Sequence, residues 1–231
     1  MIVYGRNPVR EALRGKREVN TVWATTAAAR EPWLKAVGPR MGSGEELTRL
    51  CGSPDHQGAC AETVPYPYSS ADGLLEAADA LVVCLDQVQD PRNLGAVCRV
   101  AECAGAAGVV IPERRSAEVT PTVCKASAGA VEHLAVARVR NVADYLTQAK
   151  GTGAWIYGAT GNGGVPYDRP DYAGRVVMVL GSEGEGLRPR VADSCDQLIT
   201  LPLRGRVSSL NVSAAAAALL YGVLHLREAR G

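Results

Sequence analysis

Six continuous apolar segments in the second part of the chain restrict its fold more than any other feature. Within residues 80–203 they read ALVVCLD, GVVIP, LAVARV, AWIYGAT, RVVMVLG and QLITLPL. Each segment is short and lacks alternating polar residues, which is typical of strands whose sheet is covered by helices on both faces. Helix-forming sequences fall between most of them. The pattern predicts an α/β fold with a parallel main sheet.

The first part of the chain is organised differently. IVYG, VNTVWAT and GACAETV are short predicted strands that alternate with amphipathic helices. Asn7 is expected to cap the first helix, with Pro8 at its first position, and Ser43 with Glu46 forms a capping-box pattern for a later one. The segment PYPYSSADG then breaks every periodicity. We therefore predict a small α/β domain at 1–64, a linker at 65–79 and a larger domain at 80–231.

The charges nearly cancel over the whole chain but are unevenly distributed. The 231 residues include 25 Lys and Arg against 24 Asp and Glu, so no overall positive field indicates a polyanion partner. Residues 1–50, however, carry nine basic and five acidic side chains. This excess suggests a local contact surface for a nucleic acid, and a plain solvated face is an equally good interpretation of the charge alone.

The sequence also indicates where the protein is located and whether it binds a metal. Arg6 comes too early for the apolar core of a signal peptide, and the longest apolar stretch, residues 214–224, is too short to span a bilayer. We expect a cytoplasmic protein without a membrane partner. The seven cysteines include no CxxC pair, and the three histidines are far apart. We therefore expect no metal, and reduced cysteines that pack as small apolar groups, Cys84 and Cys98 among them.

The segment at residues 85–105 is the first that indicates chemistry. Asp90 is expected to cap a helix that has Pro91 at its first position, and for these two residues a plain helix start is the simpler interpretation. Asn93 and Arg99 follow in the same helix. Arg99 is interpreted as an interruption of the apolar face around Val97, which favours a functional role.

Two further polar segments follow apolar strands. VLGSEGEGLRPR, at 179–190, contains three glycines that permit close backbone approach to a ligand, but their order is not that of a dinucleotide-binding fingerprint. Within it, Glu183 could accept a hydrogen bond from a ribose hydroxyl, cap a helix or pair with Arg99. TLPLRGRVSSLNVS, at 200–213, places Ser209 and Asn211 at the start of a long apolar helix. Asn211 there must find a partner or line a pocket.

Together, DPRNLGAVCR, VLGSEGEGLR and LPLRGRVSSLNVS resemble the three ordered motifs of the SpoU (TrmH-like) family of RNA ribose 2′-O-methyltransferases. The segments YGRNPVREAL and HQG resemble that family's N-terminal RNA-binding domain. VVIPERRSAEVTPTVCKASAGAVEHLAVARV resembles the branch that methylates a guanosine in 23S rRNA. The resemblance implies S-adenosylmethionine as donor, an RNA substrate, a homodimer and a deep trefoil knot of the SPOUT class at about 158–215.

The resemblance also implies site residues. It places the essential arginine at Arg99, with a shell formed by Asn93, Glu183, Ser209 and Asn211. The expected cofactor-binding residues are Thr160, Gly161, Leu180, Gly181, Ser182, Glu183, Gly184, Ile199, Leu201, Ser209 and Leu210. The expected RNA-binding residues are Arg6, Asn7, Arg10, His56, Gln57, Arg114 and Arg115.

A guanidinium does not readily lose its proton, so we interpret Arg99 as a stabiliser of the developing alkoxide and not as a base. The proton then passes to a phosphate oxygen or water. Other targets are a tRNA guanosine and an rRNA adenosine whose methylation confers resistance. A non-catalytic RNA-binding module would bind RNA without the methyl donor. A nicotinamide dehydrogenase would need an N-terminal glycine fingerprint, which the sequence lacks.

Overall fold

A computed structural model describes residues 1–182, 184–207 and 209–229. The first part of the chain forms a four-stranded sheet in the order β1-β4-β2-β3. Its elements are β1 (Ile2–Tyr4), α1 (Arg6–Arg14), β2 (Val19–Ala24), α2 (Pro32–Ala36), β3 (Arg40–Met41), α3 (Gly44–Cys51) and β4 (Ala59–Thr63).

The second part forms a seven-stranded sheet in the order β7-β6-β5-β10-β8-β11-β9, in which every pairing is parallel. Its strands are β5 (Leu81–Asp86), β6 (Gly108–Pro112), β7 (Val136–Val139), β8 (Trp155–Ala159), β9 (Val165–Pro166), β10 (Val176–Gly181) and β11 (Gln197–Thr200). The helices are α4 (Pro91–Cys103), α5 (Pro121–Ala126), α6 (Val142–Gly151), α7 (Pro189–Asp193) and α8 (Val212–Glu228). The predicted parallel α/β fold is thus confirmed.

The apolar runs became central strands because both of their faces are covered. Every residue of β5 and β6 is buried. One face packs against α4, α5 and α8, and the other packs against α6 and α7. Cys84 and Cys98 lie in this core as predicted, and burial raises the pKa of the Cys98 thiol to about 12. All seven cysteines are free.

Two of the three predicted helix caps are confirmed. Asp90 caps α4 with Pro91 in its first turn, and Ser43 with Glu46 forms the predicted capping box of α3. The prediction that Asn7 caps α1 is wrong. That helix begins at Arg6, two residues earlier, after Gly5, whose positive φ of 98° is readily adopted by glycine.

The predicted linker, residues 65–79, packs along the second sheet. The Tyr66 hydroxyl donates to the carbonyl oxygen of Leu134 at 2.7 Å, and Ser69 forms a parallel bridge with Ala137 of β7. A 3₁₀ helix at Asp72–Leu75 buries two leucines. Within the described residues, no helix has both the length and the apolar character needed to cross a membrane.

A buried ion pair joins the first part of the chain to the second. Arg17, after α1, donates from Nε to Glu132 Oε2 at 2.8 Å, and its Nη2 contacts Glu132 Oε1. Neither side chain is more than 2% exposed. Burial acts to lower the pKa of Arg17, but the Glu132 carboxylate outweighs burial and raises it above the ordinary value. Arg17 therefore stays charged, and its contact with Glu132 fixes the first part of the chain against the second.

Breaking this pair should be costly because it leaves a buried guanidinium without its counter-charge. We expect Glu132→Gln to lower the free energy of unfolding by about 3–5 kcal/mol in urea denaturation. The matched control is Glu118→Gln, which breaks the exposed pair with Arg138, and this variant should lose less than about 1 kcal/mol. Equal losses in the two variants would contradict the buried pair's role.

Candidate functional site

A cavity of about 500 Å³ opens at the carboxyl ends of β8, β10 and β11, beside the start of α8. We call the side of the second sheet on which all its strands end the carboxyl edge. Ligand sites of open parallel sheets form at this edge because the strand-to-helix loops meet there. The cavity is lined by Thr160, Gly161, Leu180, Gly181, Ser182, Gly184, Ile199, Leu201, Ser209 and Leu210. These are the predicted cofactor-binding residues except Glu183, which lies outside the described residues.

The glycine-bearing loop after β10 forms one wall. Ser182 and Gly186 exchange two backbone hydrogen bonds, at 3.1 and 3.0 Å, so the loop folds back on itself. A Cβ at Gly181 would lie 2.1 Å from backbone atoms of Gly186. Glycine at 181 is therefore required for the close approach, and the turn leaves backbone atoms facing the cavity.

The loop after β8 forms the opposite wall. The backbone N–H of Thr160 donates to the carbonyl oxygen of Ile199 at 2.9 Å, and its hydroxyl donates to the Asn162 carbonyl oxygen at 2.9 Å. A Cβ at Gly164 would lie 2.9 Å from the Ile199 backbone. The β8 loop and β11 are thus in direct contact, although almost forty residues separate them in the sequence.

The polar group at the start of α8 lies at the rim. Asn211 is the N-cap of the helix, and its Oδ1 accepts from the Ser213 N–H at 2.9 Å. Its Nδ2 donates to Asn93 Oδ1 of α4 at 3.0 Å. Leu210 and Val212, on either side of Asn211, line the cavity. The structure therefore brings the predicted residues Asn93 and Asn211 into contact, and Ser209 lines the cavity.

Arg99 occupies a different position from the one expected. The buried face of α4 is formed by Leu94, Gly95, Val97, Cys98 and Ala101. Arg99 is exposed, so it does not interrupt that face, and the interpretation based on an apolar surrounding is wrong. It lies six residues beyond Asn93, about 9 Å along the helix axis, and does not line the cavity of its own chain. Within the described residues it has no ion-pair partner.

The predicted RNA-binding residues of the first part form a second group. The backbone N–H of Arg6 donates to Gln57 Oε1 at 3.1 Å, and its guanidinium pairs with Glu31 at 2.9 Å. Asn7 is exposed beside it, and Arg10 pairs with Glu11 at 3.2 Å. Both arginines are therefore partly neutralised within the chain.

His56 is buried between two shallow depressions of this surface. Its Nδ1 accepts the N–H of Gly58 at 2.9 Å, and its Nε2 lies 3.2 Å from the Thr48 hydroxyl. Both ring nitrogens are thus occupied. His56 holds the turn, and Gln57 in the left-handed conformation is the part that faces solvent.

Arg114 and Arg115 follow β6 at the carboxyl edge. Both side chains are exposed. Within the described part of the chain, neither of them has an ion-pair partner. Arg140 follows β7 at the same edge and is also exposed. Guanidinium groups without an ion-pair partner among the described residues therefore lie at the carboxyl edge after β6 and β7, which β5 separates from the cavity strand β10. No group of three or more potential metal ligands occurs among the described residues.

Sequence reasoning missed some of the cavity. Asn162, Leu187, Leu198, Leu203 and Val212 also line it. The sequence gives no sign of this role, because an apolar residue in a pocket wall cannot be distinguished from one buried inside a strand or helix. It also missed the contact between Asp86 and Arg188, although a charged residue that ends an apolar strand is itself a signal.

Comparison with known proteins agrees with this geometry. Residues 80–221 match the SpoU rRNA Methylase family, and residues 2–69 match the family described as RNA 2′-O ribose methyltransferase substrate binding. The chain belongs to the SpoU rRNA methylase family. As a member of this family, it is an RNA methyltransferase.

Similar proteins extend over nearly the whole chain. A protein of Bacillus subtilis named as a TrmH-family tRNA/rRNA methyltransferase, YacO, is 35% identical over 99% of this chain and 97% of its own length. A tRNA/rRNA methyltransferase of Synechocystis is 37% identical over 98% of this chain, which spans 62% of that relative. The crystal structure of the SpoU methyltransferase AviRb from Streptomyces viridochromogenes has the same fold, with a TM-score of 0.84 at 24% identity over 100% of this chain and 90% of that one.

The cavity wall can be tested with two glycines. We expect Gly181→Ala to lower the free energy of unfolding by about 3 kcal/mol, because the new methyl group collides with backbone that cannot rotate away. Gly205→Ala is the control, since nothing lies within 4 Å of its Cβ position, and it should change stability by less than about 0.5 kcal/mol. Urea denaturation measures both, and a stable Gly181→Ala variant would contradict the close approach.

Proposed function

We propose that the chain transfers a methyl group from S-adenosylmethionine to the ribose 2′-hydroxyl of a guanosine in 23S rRNA. The observation that supports this most is the cavity, because segments far apart in the sequence meet there at the carboxyl edge. The donor supplies an electrophilic methyl group on a sulfonium. A 2′-hydroxyl is a poor nucleophile, so holding it in line with that methyl group is the largest contribution that the protein can make.

The residues of the cavity fit this donor. Leu180, Ile199 and Leu201 offer apolar surface for an adenine ring, and the volume is that of a site for a small cofactor. Gly181, Gly184 and Gly186 line the cavity without a side chain beyond Cα, so their backbone groups are open to the donor's polar groups. Binding mainly through backbone explains why few charged side chains face the cavity.

We further propose that a second copy of the chain completes the site. Arg99 is exposed and does not line the cavity of its own chain, whereas Leu203, Val207, Leu210 and Tyr221 are exposed apolar side chains on or near the cavity and α8. A homodimer that covers these groups would bring Arg99 of one protomer to the cavity of the other. There its guanidinium would stabilise the alkoxide that develops on the ribose. Asn93, bonded to Asn211, would orient the start of α8.

The organisation of the chain is part of the same proposal. Residues 1–64 would bind RNA, 65–79 would connect, and 80–231 would hold the donor and catalyse transfer. The contacts between the β8 loop and β11 support a knotted arrangement of about 158–215. The names of the relatives include tRNA beside rRNA, so a tRNA guanosine is the alternative target, and locating the methylated nucleotide decides between them.

Arg99 should be essential for transfer because its role requires a planar fork of donors and not charge alone. We expect both Arg99→Ala and Arg99→Lys to abolish transfer of labelled methyl to ribosomal RNA, with binding of S-adenosylhomocysteine unchanged. A lysine variant that methylates at a near-normal rate would refute this role.

Mixing two inactive variants tests the site shared between protomers. Ser182→Trp should fill the cavity, so heterodimers of this variant with Arg99→Ala would contain one intact cavity facing one intact Arg99. Exchange of subunits should then restore about a quarter of the wild-type activity, because half of the dimers are mixed and each has one complete site. No restoration would show that Arg99 acts within its own chain.

The carboxyl edge should contribute to RNA affinity through phosphate contacts. We expect Arg114→Gln/Arg115→Gln to weaken binding of an rRNA fragment and to reduce the slope of log K against log salt by about one for each arginine. Lys150→Gln, in the last turn of α6, removes one positive charge away from the carboxyl edge and should leave the slope unchanged. Equal slopes in all three proteins would reject this surface. Neutralising Arg6 and Arg10 together tests the first part in the same assay.

A further inference from the structure

The loop that walls the cavity is tied to the neighbouring strand at its far end. Asp86 is the last residue of β5 and lies in register with Gly181, the last residue of β10. The backbone N–H of Arg188 donates to Asp86 Oδ2 at 3.0 Å. Its Nε donates to Oδ1 at 2.8 Å, and its Nη2 lies 2.7 Å from the same oxygen. One residue thus satisfies both oxygens of the carboxylate.

Burial makes this contact obligatory. The Asp86 side chain has no exposed surface, whereas that of Arg188 is 42% exposed. Within the described residues, every hydrogen bond to this carboxylate comes from Arg188. A buried carboxylate that loses its partners is strongly unfavourable. Arg188 therefore cannot move away from β5 unless the charge is left without compensation.

The residues between the two fixed ends form the cavity wall. All described residues from 181 to 187 line the cavity. Gly184 and Gly186 have positive φ angles of 88° and 69°, and glycine-rich backbone has many alternative conformations unless something holds it. The hydrogen bonds between Ser182 and Gly186 close the turn, and Arg188 fixes where the turn lies. Neither Asp86 nor Arg188 lines the cavity.

We propose that Asp86 and Arg188 form a positioning pair that sets the wall of the donor site. The pair acts on the bound donor through the backbone of residues 182 and 184–187 and makes no contact with it. This inference rests on the proposed function, since it identifies what holds the S-adenosylmethionine site in shape. A wall that is preorganised before binding loses less conformational freedom when the donor binds.

The chain contains a matched control two residues further along. Arg190 pairs with Asp144 at 2.8 Å, but both side chains are largely exposed, at 72% and 58%. This second pair also joins α7 to a neighbouring element, α6, and does not line the cavity. Arg190→Ala removes the same side chain as Arg188→Ala, from the same helix region, without stranding a buried charge.

The experiment is a calorimetric titration of the full chain with S-adenosylhomocysteine, well below each variant's unfolding temperature. Arg188→Ala should weaken binding by about tenfold to a hundredfold, because a wall that is no longer held in place must be ordered when the ligand binds. Arg188→Lys keeps the backbone N–H and one positive charge and should recover part of the affinity. Arg190→Ala should bind like the wild type. Hydrogen exchange should accelerate at residues 184–187 in Arg188→Ala but not in Arg190→Ala.

The outcomes separate the two proposals. If the wild type and Arg190→Ala do not bind S-adenosylhomocysteine, the proposed function fails. If they bind and a folded Arg188→Ala binds equally well, the positioning role is overturned, even where its unfolding temperature falls. Should Arg188→Ala not fold, Asp86→Asn replaces it, because this change removes the buried charge while keeping the shape. Wild-type affinity in Asp86→Asn would overturn the proposal, and weakened affinity would support it.

Discussion

The parallel alignment of seven strands determines where everything else in the second part of the chain lies. In a parallel sheet every strand must be followed by a return connection, so all strand ends point to one edge and the loops that leave them meet there. In this chain the loops after β8, β10 and β11 surround the cavity, and the loops after β6 and β7 place arginines along the same edge. The candidate site is therefore a consequence of topology before it is a consequence of any single residue.

Two buried carboxylates form the ion pairs that hold parts of the chain together. Glu132 pairs with Arg17 and holds the first part of the chain against the second, while Asp86 pairs with Arg188 and holds the cavity wall against β5. In each case an arginine supplies several donors to one carboxylate, a geometry that a lysine cannot reproduce. The exposed pairs of Arg138 and Arg190 contribute little, because solvent screens them. Burial, not the number of ion pairs, decides which of them shape the molecule.

The parts of the fold that depend on local signals could be predicted from sequence. Continuous apolar runs predict buried parallel strands, and the capping residues of α3 and α4 are recognisable because their side chains bond to backbone only two or three residues away. The motif segments likewise indicated the residues that line the cavity. The tiny strands β3 and β9 could not be predicted, because two residues contain no periodicity.

The features that the sequence did not indicate correctly depend on long-range packing. Arg99 was read as lying on an apolar face, but the face that α4 buries is rotated from the one that the sequence suggested. The pairing of Asp86 with Arg188 joins residues 102 positions apart, which no spacing rule relates. His56 was expected at an RNA surface, and only the fold shows that both of its ring nitrogens are occupied.

The pairing of Arg17 with Glu132 also has a consequence for biosynthesis. The two residues are 115 positions apart, so the guanidinium leaves the ribosome long before its carboxylate exists. At ordinary rates of translation the interval is roughly 6 to 23 s. During that time the nascent N-terminal sheet must keep Arg17 hydrated. Final docking of that sheet is therefore a late event, deferred until the polypeptide has grown past β5 and β6, the first two strands of the parallel sheet.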